Sequence, residues 1–292
     1  MSTAVVEKTA AASSPTAVAL HYLRRYWALG LASAVVLVAL SWAVLPGVFT
    51  AYDPLAVNQA QRLLPPSGEH WFGTDLLGRD LYSRVVYGAR ASLAGAFLAV
   101  AVAVVVGSAL GALAGWFGGV VDHVVMRAVD VVLSIPSFLL AISVVVLYSA
   151  KTGTSGLVPA AIAVGLTASA KFARLIRSEV LKVRASNYVE AAVTSGSSTS
   201  AILRRHVIPN ALGPTISLAA VEVGLAIIWI ASLSFLGLGA QPPDPEWGLL
   251  VADGRKYIAT RDWLTVYPAL TIVAVVLSVN YLARHLRKRN EL

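Results

Sequence analysis

The chain has 292 residues, of which 57% are hydrophobic and 13% are charged, and its mean hydropathy of +0.73 far exceeds that of a soluble globular domain. It contains no cysteine, which excludes a disulfide framework, a thiolate metal site and a cysteine nucleophile. The net charge of +8 fits either nucleic-acid binding or the cytoplasmic loops of a membrane protein, so the positions of the charges must decide.

The amino-terminal region predicts a tail followed by a first membrane span. Residues 1–20 are mostly small or polar without apolar periodicity, so we expect a disordered tail there. The uncharged run from Tyr26 to Tyr52 is too long for the apolar part of a signal peptide, and no convincing cleavage site follows it. We interpret this run as a membrane-spanning helix. The mixed segment 53–90 predicts a soluble loop that turns into an interfacial helix.

Further apolar runs follow along the rest of the chain. They cover residues 91–121, 131–150, 156–170, 211–240 and 263–283. Since about 20 apolar residues cross a bilayer as a helix, the sequence predicts an all-α polytopic membrane protein with about six transmembrane helices in one membrane domain, 21–292. Pro136 is predicted to kink the third run.

Three glycines in the second run, Gly107, Gly111 and Gly115, recur every four residues. This spacing places them on one helix face, where small residues let another helix approach closely. The alternative is that glycine is simply common in spanning helices.

The charges distinguish the two sides of the membrane. Six spans place 15 of the 23 lysines and arginines on the side of the termini, whereas the other side has as many acidic as basic residues. The positive-inside rule therefore predicts that both termini and the segment 171–210 are cytoplasmic and that the loop 53–90 is extracytoplasmic. The basic excess reflects topology and anionic lipid, and nucleic acid is not needed to explain it.

The segment 171–210 contains a predicted helix, a glycine elbow and a second helix. Good helix formers run from Asn187 to Thr194, and Gly196 is placed for a left-handed cap. A short helix through Arg204 and Arg205 is then predicted to end before Pro209.

The spacing of Glu190-Ala191-Ala192, Gly196 and Ile208-Pro209 resembles the EAA loop of ABC importer permease subunits. In that family the loop forms a coupling helix that enters a groove on the ATPase. The resemblance implies a coupling role for these residues together with Arg204 and Arg205. The segment Thr194 to Ser198 departs from the usual leucine-glycine-alanine pattern and is more polar, which would loosen the elbow.

Three further segments resemble the C-type subunits of dipeptide, oligopeptide and nickel permeases. They are Phe72–Leu93, Trp116–Asp130 and Ser234–Gly248. The first contains the extracytoplasmic motif residues Gly73, Thr74, Asp75, Gly78, Arg79, Asp80, Ser83 and Arg84. The charged members of this motif either clamp an extracytoplasmic partner or form ion pairs four residues apart on an exposed helix.

The resemblance implies a type I ABC importer permease fold in the plasma (inner) membrane. It also implies a homologous second permease subunit, ATP-binding subunits and an extracytoplasmic substrate-binding protein as partners. The chain contains no phosphate-binding loop, zinc-protease motif or nucleophile elbow, so we expect no enzymatic activity, no metal and no cofactor of its own. ATP and Mg²⁺ would be bound by the partner subunits.

Glu222 is a carboxylate in the middle of a predicted span, where a charge costs about 2.5 to 3.5 kcal/mol unless it is paired or hydrated. It either faces the translocation path or the partner permease, or it is a hydrogen-bonded structural residue. The implied function is ATP-driven import of di- or oligopeptides, with nickel chelates or other small solutes as alternative substrates. The competing function is an ion-gradient-driven secondary transporter that uses Glu222.

Overall fold

The computed structural model describes the backbone of residues 15–290, and the side chains in this range except those of residues 15–26, 192–193, 199–200 and 286–290. The helices in chain order are α1 (Pro15–Val44), α2 (Pro46–Phe49), α3 (Leu81–Phe117), α4 (Gly119–Ser134), α5 (Ser137–Thr152), α6 (Leu157–Arg184), α7 (Asn187–Thr194), α8 (Thr199–Ile202), α9 (Ile208–Phe235), α10 (Trp247–Gly254) and α11 (Trp263–Asn290). A π-helical turn, Leu203–Val207, joins α8 to α9. Residues 15–290 contain no β-strand, which confirms the all-α prediction.

Five helices are long and apolar enough to cross a membrane, namely α1, α3, α6, α9 and α11. The pair α4 and α5 passes the same test together but bends by 101° at the break that contains Pro136. Helices α3 and α6 run parallel, because Gly107 faces Ser169 and Gly115 faces Val180. Parallel neighbours need a return crossing between them, and α4 with α5 supplies it. The five helices and this bent pair therefore account for the six predicted spans. Pro136 lies at a sharp break between α4 and α5, where a kink was expected.

The contact between α3 and α6 depends on glycine. A Cβ atom at Gly107 would lie 2.4 Å from the carbonyl oxygen of Ser169, and one at Gly111 would lie 2.4 Å from that of Ala173. On the opposing helix, a Cβ at Gly165 would lie 2.4 Å from the carbonyl oxygen of Ala99. No side chain fits at these separations, so the predicted close helix approach is confirmed.

The extramembrane segments lie on two opposite faces. Trp42 near the end of α1 packs edge-on against Tyr82 at the start of α3, and Phe72 stacks on Tyr267 near the start of α11 at 4.4 Å. The loops 45–80 and 236–262 therefore share one face, which we call the loop face. The end of α6, α7, α8 and the start of α9 lie on the other, the coupling face, where α1 begins and α11 ends.

Two predicted boundaries near the amino terminus change. Residues 1–14 lie outside the described part of the chain, but α1 already begins at Pro15, within the predicted tail 1–20. Proline is compatible with the first helical turn, and Ala17, Ala19 and Leu20 favour a helix. The predicted loop 53–90 ends at Asp80 rather than Arg90. Oδ2 of Asp80 caps α3 by accepting a 2.7 Å hydrogen bond from the Ser83 amide, so the expected interfacial helix is the first turns of α3 itself.

The predicted loop 171–210 is also shorter than expected. Helix α6 continues to Arg184, and α9 already begins at Ile208. The short helix that was predicted to end before Pro209 instead continues through the π turn into α9. Pro209 is tolerated because it occupies the first turn of α9.

The α3–α6 contact makes a first prediction. Gly111→Ala should lower the midpoint of thermal unfolding and the membrane abundance of the protein, because overpacking costs about 1–3 kcal/mol and the clashing atom is a backbone carbonyl. The control is Gly30→Ala in α1, where an added Cβ has no neighbour within 4 Å. Thermal unfolding in detergent measures both variants, and equal midpoints would contradict the assigned contact.

Candidate coupling and translocation site

Helices α7 and α8 form a compact element on the coupling face. Gly196 has φ of +78°, so the predicted left-handed cap at the elbow is confirmed. Glu190 N–H donates to the carbonyl oxygen of Ser186, which starts α7, and Ser195 N–H donates to that of Ala191, which ends it. The ring of Tyr188 lies 5.4 Å from that of His206 and braces α7 against the π turn. Local hydrogen bonding thus explains why this polar sequence folds into two short helices.

One side of this element is anchored and the other is free. Val189, Ile202 and Val207 are buried in an apolar cluster with Val180 and Val183 of α6. The predicted coupling residues with described side chains are all exposed: Glu190, Ala191, Gly196, Arg204, Arg205, Ile208 and Pro209. The side chain of Ala192 lies outside the described residues. The element therefore exposes acidic, basic and apolar groups, while its other side is buried in the apolar cluster.

The two helices that flank the coupling element are bridged inside the membrane. Nζ of Lys171 in α6 lies 2.8 Å from Oε1 of Glu222 in α9, and the Glu222 side chain is 6% exposed. Each residue lies about 20 Å along its helix from the coupling element, at 1.5 Å per residue. The pair borders a small cavity that Thr167 and Trp229 also line. The buried carboxylate is therefore paired within the chain.

A second set of polar contacts attaches α4 and the end of α3 to α6 near the coupling face. Arg177 makes a two-pronged ion pair with Asp122, in which Nη2 and Oδ2 lie 2.5 Å apart. Nη2 of Arg174 lies 2.8 Å from Oδ1 of Asp130, and Nη1 of Arg184 donates to the carbonyl oxygen of Trp116 at 2.8 Å. The sequence analysis used these arginines only to assign one side of the membrane. The structure shows that they also connect helices.

The extracytoplasmic motif residues lie together on the loop face and are buried. Nε of Arg79 lies 2.6 Å from Oδ2 of Asp75, and Nε of Arg84 lies 3.6 Å from the same oxygen, while Arg84 is only 1% exposed. The spacing of four residues does pair Arg79 with Asp75. Asp75 and Arg79 lie in a folded loop and Arg84 lies in the first turn of α3, and all three are buried, so the expectation of an exposed helix is wrong. The enclosed carboxylate of Asp75 is not available as an open clamp.

The remaining motif residues shape the same loop. Gly73 and Gly78 both have φ of +74°, and a Cβ at Gly78 would lie 1.7 Å from the carbonyl oxygen of Asn58. Oγ1 of Thr74 donates to the carbonyl oxygen of Gln61, and Oγ of Ser83 donates to Oδ2 of Asp80 at 2.6 Å. These residues build the loop rather than a reactive site.

Comparison with known proteins decides the family. Residues 107–291 match the family described as binding-protein-dependent transport system inner membrane component. The chain belongs to this family of permeases. It is 41% identical over 245 residues to the dipeptide transport system permease protein DppC of Alkalihalophilus pseudofirmus, a match that covers 84% of this chain and 79% of that protein. It is 41% identical to the probable D,D-dipeptide permease DdpC of Escherichia coli K12, over 78% of this chain and 75% of that one.

Further relatives and solved structures agree with this assignment. The glutathione transport system permease GsiD of Pectobacterium atrosepticum is 39% identical, over 76% of this chain and 72% of its own length. The inward-facing MetNI methionine ABC transporter matches with a TM-score of 0.58 at 19% identity, over 72% of this chain and 97% of that chain. At this identity the structure shows a shared fold alone. Nothing in these comparisons supports the secondary-transporter alternative.

Several important residues of the permease were not singled out from the sequence. Lys171 was counted only as a cytoplasmic charge, yet it pairs with Glu222. Glu246 is fully buried, caps α10 and accepts a 2.9 Å hydrogen bond from Oγ of Ser92, and Nε1 of Trp247 donates to the carbonyl oxygen of Val85. The segment from Gln241 to Gly248 entered the sequence analysis only as part of the family resemblance, without a role for any of its residues. An acidic residue directly before Trp247 was the available signal.

The buried ion pairs of the loop face make a second prediction. Asp75→Asn should lower the stability of the permease by about 3 kcal/mol, because it leaves the enclosed Arg84 and Arg79 without their shared carboxylate. The matched control is Asp53→Asn, since Asp53 is exposed and accepts only the amide hydrogen bond of Leu55. Denaturation midpoints of the purified variants in detergent measure the difference. If Asp75→Asn and Asp53→Asn had the same midpoint, the network would carry no stability.

Proposed function

We propose that this permease is the C-type subunit of an ATP-driven importer for di- and oligopeptides. The observation that carries the proposal is the exposed coupling element, which stands between α6 and α9 with its apolar side anchored and its charged side free. The substrate class is supported by the relatives named for dipeptide, D,D-dipeptide and glutathione transport. Nickel chelates or other small solutes are the alternative substrates.

The proposed mechanism transmits force and breaks no covalent bond. Closure of the ATP-binding subunits displaces α7 and the Gly196 elbow, and the buried anchor passes this displacement to α6 and α9. The pair Lys171–Glu222 holds the two helices together in the membrane, so they move as one lever. The chain has no ATPase site of its own in this proposal, and ATP and Mg²⁺ are bound by the partner subunits.

The proposed assembly follows from the two faces. A homologous second permease subunit completes the translocation path, and ATP-binding subunits meet the coupling face. An extracytoplasmic substrate-binding protein meets the loop face. Helix α1 begins and helix α11 ends on the coupling face, and most of the lysines and arginines fall on that side in the sequence, which supports a cytoplasmic location for this face.

The coupling element makes a third prediction. Glu190→Lys and Gly196→Val should leave the permease inserted but reduce peptide uptake and peptide-stimulated ATP hydrolysis severalfold. The first reverses an exposed charge, and the second places a β-branched residue at a positive φ.

Two control variants separate the effect of the reversed charge from the effect of the strained backbone. Gly196→Asn tolerates a left-handed backbone and should retain most uptake. Asp244→Lys makes the same kind of charge reversal on the loop face and should leave the coupling to ATP hydrolysis intact. Normal uptake by Glu190→Lys and Gly196→Val in assembled transporters would refute the coupling assignment.

Glu222 makes a fourth prediction. We propose that its carboxylate borders the translocation path, supported by the cavity that it lines with Thr167 and Trp229. Glu222→Gln should reduce uptake severalfold per transporter in the membrane, because the carboxylate that lines the cavity and pairs with Lys171 loses its charge. The double exchange Lys171→Glu with Glu222→Lys restores the pair and should recover part of the uptake. Unchanged uptake by Glu222→Gln at normal abundance would contradict a role in the path.

A further inference from the structure

The coupling element is joined to α9 by the π turn Leu203–Val207, without a break in the helix. In this turn the amide of Ile208 donates to the carbonyl oxygen of Leu203, five residues earlier, which is the hydrogen bond of a π turn rather than of an α-helix. The cause lies in Pro209. A proline has no N–H to donate, and in an uninterrupted α-helix its ring would clash with the carbonyl of Arg205, four residues before it. The wider turn moves that carbonyl away.

The π turn makes this junction a weak point for the transmission of motion. An α-helix is stiff because each amide is bonded to the carbonyl four residues before it, whereas Pro209 contributes no amide here. Single π turns occur mostly at functional sites. Bending at the turn therefore absorbs a displacement of α7 and α8 before it reaches α9, unless other contacts hold the two sides together.

Two side-chain contacts span the junction. The ring of His206, within the π turn, lies 5.4 Å from the ring of Tyr188 in α7, and the two planes are tilted by 49°. The side-chain amide of Asn210 in α9 donates to the carbonyl oxygen of His206 at 2.6 Å. His206 thus contacts α7 through its ring and α9 through its backbone. We call these three residues, Tyr188, His206 and Asn210, the brace.

The brace differs from the apolar cluster that anchors the coupling element. In that cluster Val189 and Val207 are buried with Val180 of α6, and the member that α9 contributes is Ala211. A single methyl group buries little apolar area, so the cluster ties the element mainly to α6. The brace, in contrast, connects α7 to α9 through a ring contact and a hydrogen bond. The element is therefore held to α6 by apolar packing and to α9 by the brace.

We propose that Tyr188, His206 and Asn210 are positioning residues that carry the displacement of the coupling element across the π turn to α9. The inference rests on the coupling role proposed above for Glu190 and Gly196. The ring contact keeps α7 at a fixed separation from the turn, and the hydrogen bond of Asn210 keeps the turn aligned with the start of α9. Without the brace, closure of the ATP-binding subunits bends the π turn, and less of the displacement reaches α9.

The competing role for Tyr188 is direct contact with the ATP-binding subunits, because this residue is 48% exposed. The two roles differ in what a substitution changes. Removal of a docking residue lowers the retention of the ATP-binding subunits, whether or not His206 is present. Removal of a positioning residue leaves the complex assembled, and it has no further effect once His206 has been replaced, because the two rings act through one contact.

The first measurement is ATP hydrolysis and peptide uptake by the complete transporter in proteoliposomes, supplied with peptide-loaded binding protein. Tyr188→Ala, His206→Ala and Asn210→Ala should each lower uptake and peptide-stimulated hydrolysis about two- to tenfold, the range for loss of one ring contact or hydrogen bond. Basal hydrolysis and subunit stoichiometry should stay unchanged. The double variant Tyr188→Ala with His206→Ala should be no worse than either single variant, and Tyr188→Phe should retain coupling. His123→Ala is the control, because His123 is exposed and its Nδ1 contacts only the carbonyl oxygen of Gly119 in its own helix among the described hydrogen bonds.

The second measurement follows the two sides of the π turn directly, by double electron–electron resonance. Spin labels on Ser195→Cys and Leu212→Cys report the distance between the elbow and α9, since both positions are exposed and the chain has no cysteine of its own. The partner subunits are used without reactive cysteines. ATP with vanadate should leave this distance unchanged in the otherwise unaltered chain and should change it in the Tyr188→Ala background.

The outcomes separate the brace from the coupling role on which it rests. The brace alone is overturned by additive effects in the double variant, by loss of ATP-binding subunits from Tyr188→Ala, or by a label distance that responds equally with and without Tyr188. In each of these cases Glu190→Lys and Gly196→Val still lose uptake. Normal uptake by Glu190→Lys and Gly196→Val overturns the coupling role itself, and the brace with it.

Discussion

The close contact between α3 and α6 is the constraint on which the rest of the permease depends. Gly107, Gly111 and Gly165 allow backbone carbonyls to approach where any side chain would clash. Because the two helices are parallel, the chain between them has to recross the membrane, and α4 and α5 do so with a bend of 101°. The same contact fixes the position of α6, whose end supports the coupling element.

The two faces of the molecule are built for different tasks. On the loop face, Arg84 and Asp75 are buried and form an ion pair, and the buried Glu246 accepts a hydrogen bond from Ser92. These contacts make this face a rigid platform. On the coupling face, the charged groups around Glu190 and Gly196 are exposed on an apolar anchor. A rigid platform on one face and a projecting element on the other are what a subunit that transmits motion across a membrane requires.

The paired state of Glu222 changes how this residue is understood. An isolated carboxylate in the membrane invites comparison with ion-coupled transporters, but a salt bridge to Lys171 compensates its charge within the chain. The pair joins the two helices that carry the coupling element, so the same contact can stabilise the fold and transmit its movement. The pair also lines the small cavity beside Trp229, a position that is compatible with stabilising the fold and with transmitting movement.

The sequence by itself determined the features that depend on local chemistry or on the periodicity of one helix. The apolar runs, the glycine face of α3, the left-handed Gly196 and the spacing around Glu190 are of this kind. Only the tertiary structure decided that Lys171 meets Glu222, that Asp75 and Arg84 are buried, and that Pro136 marks a right-angled break. These features join residues far apart in the chain or depend on how helices are arranged around them, and no local pattern of residues records the path that brings them together.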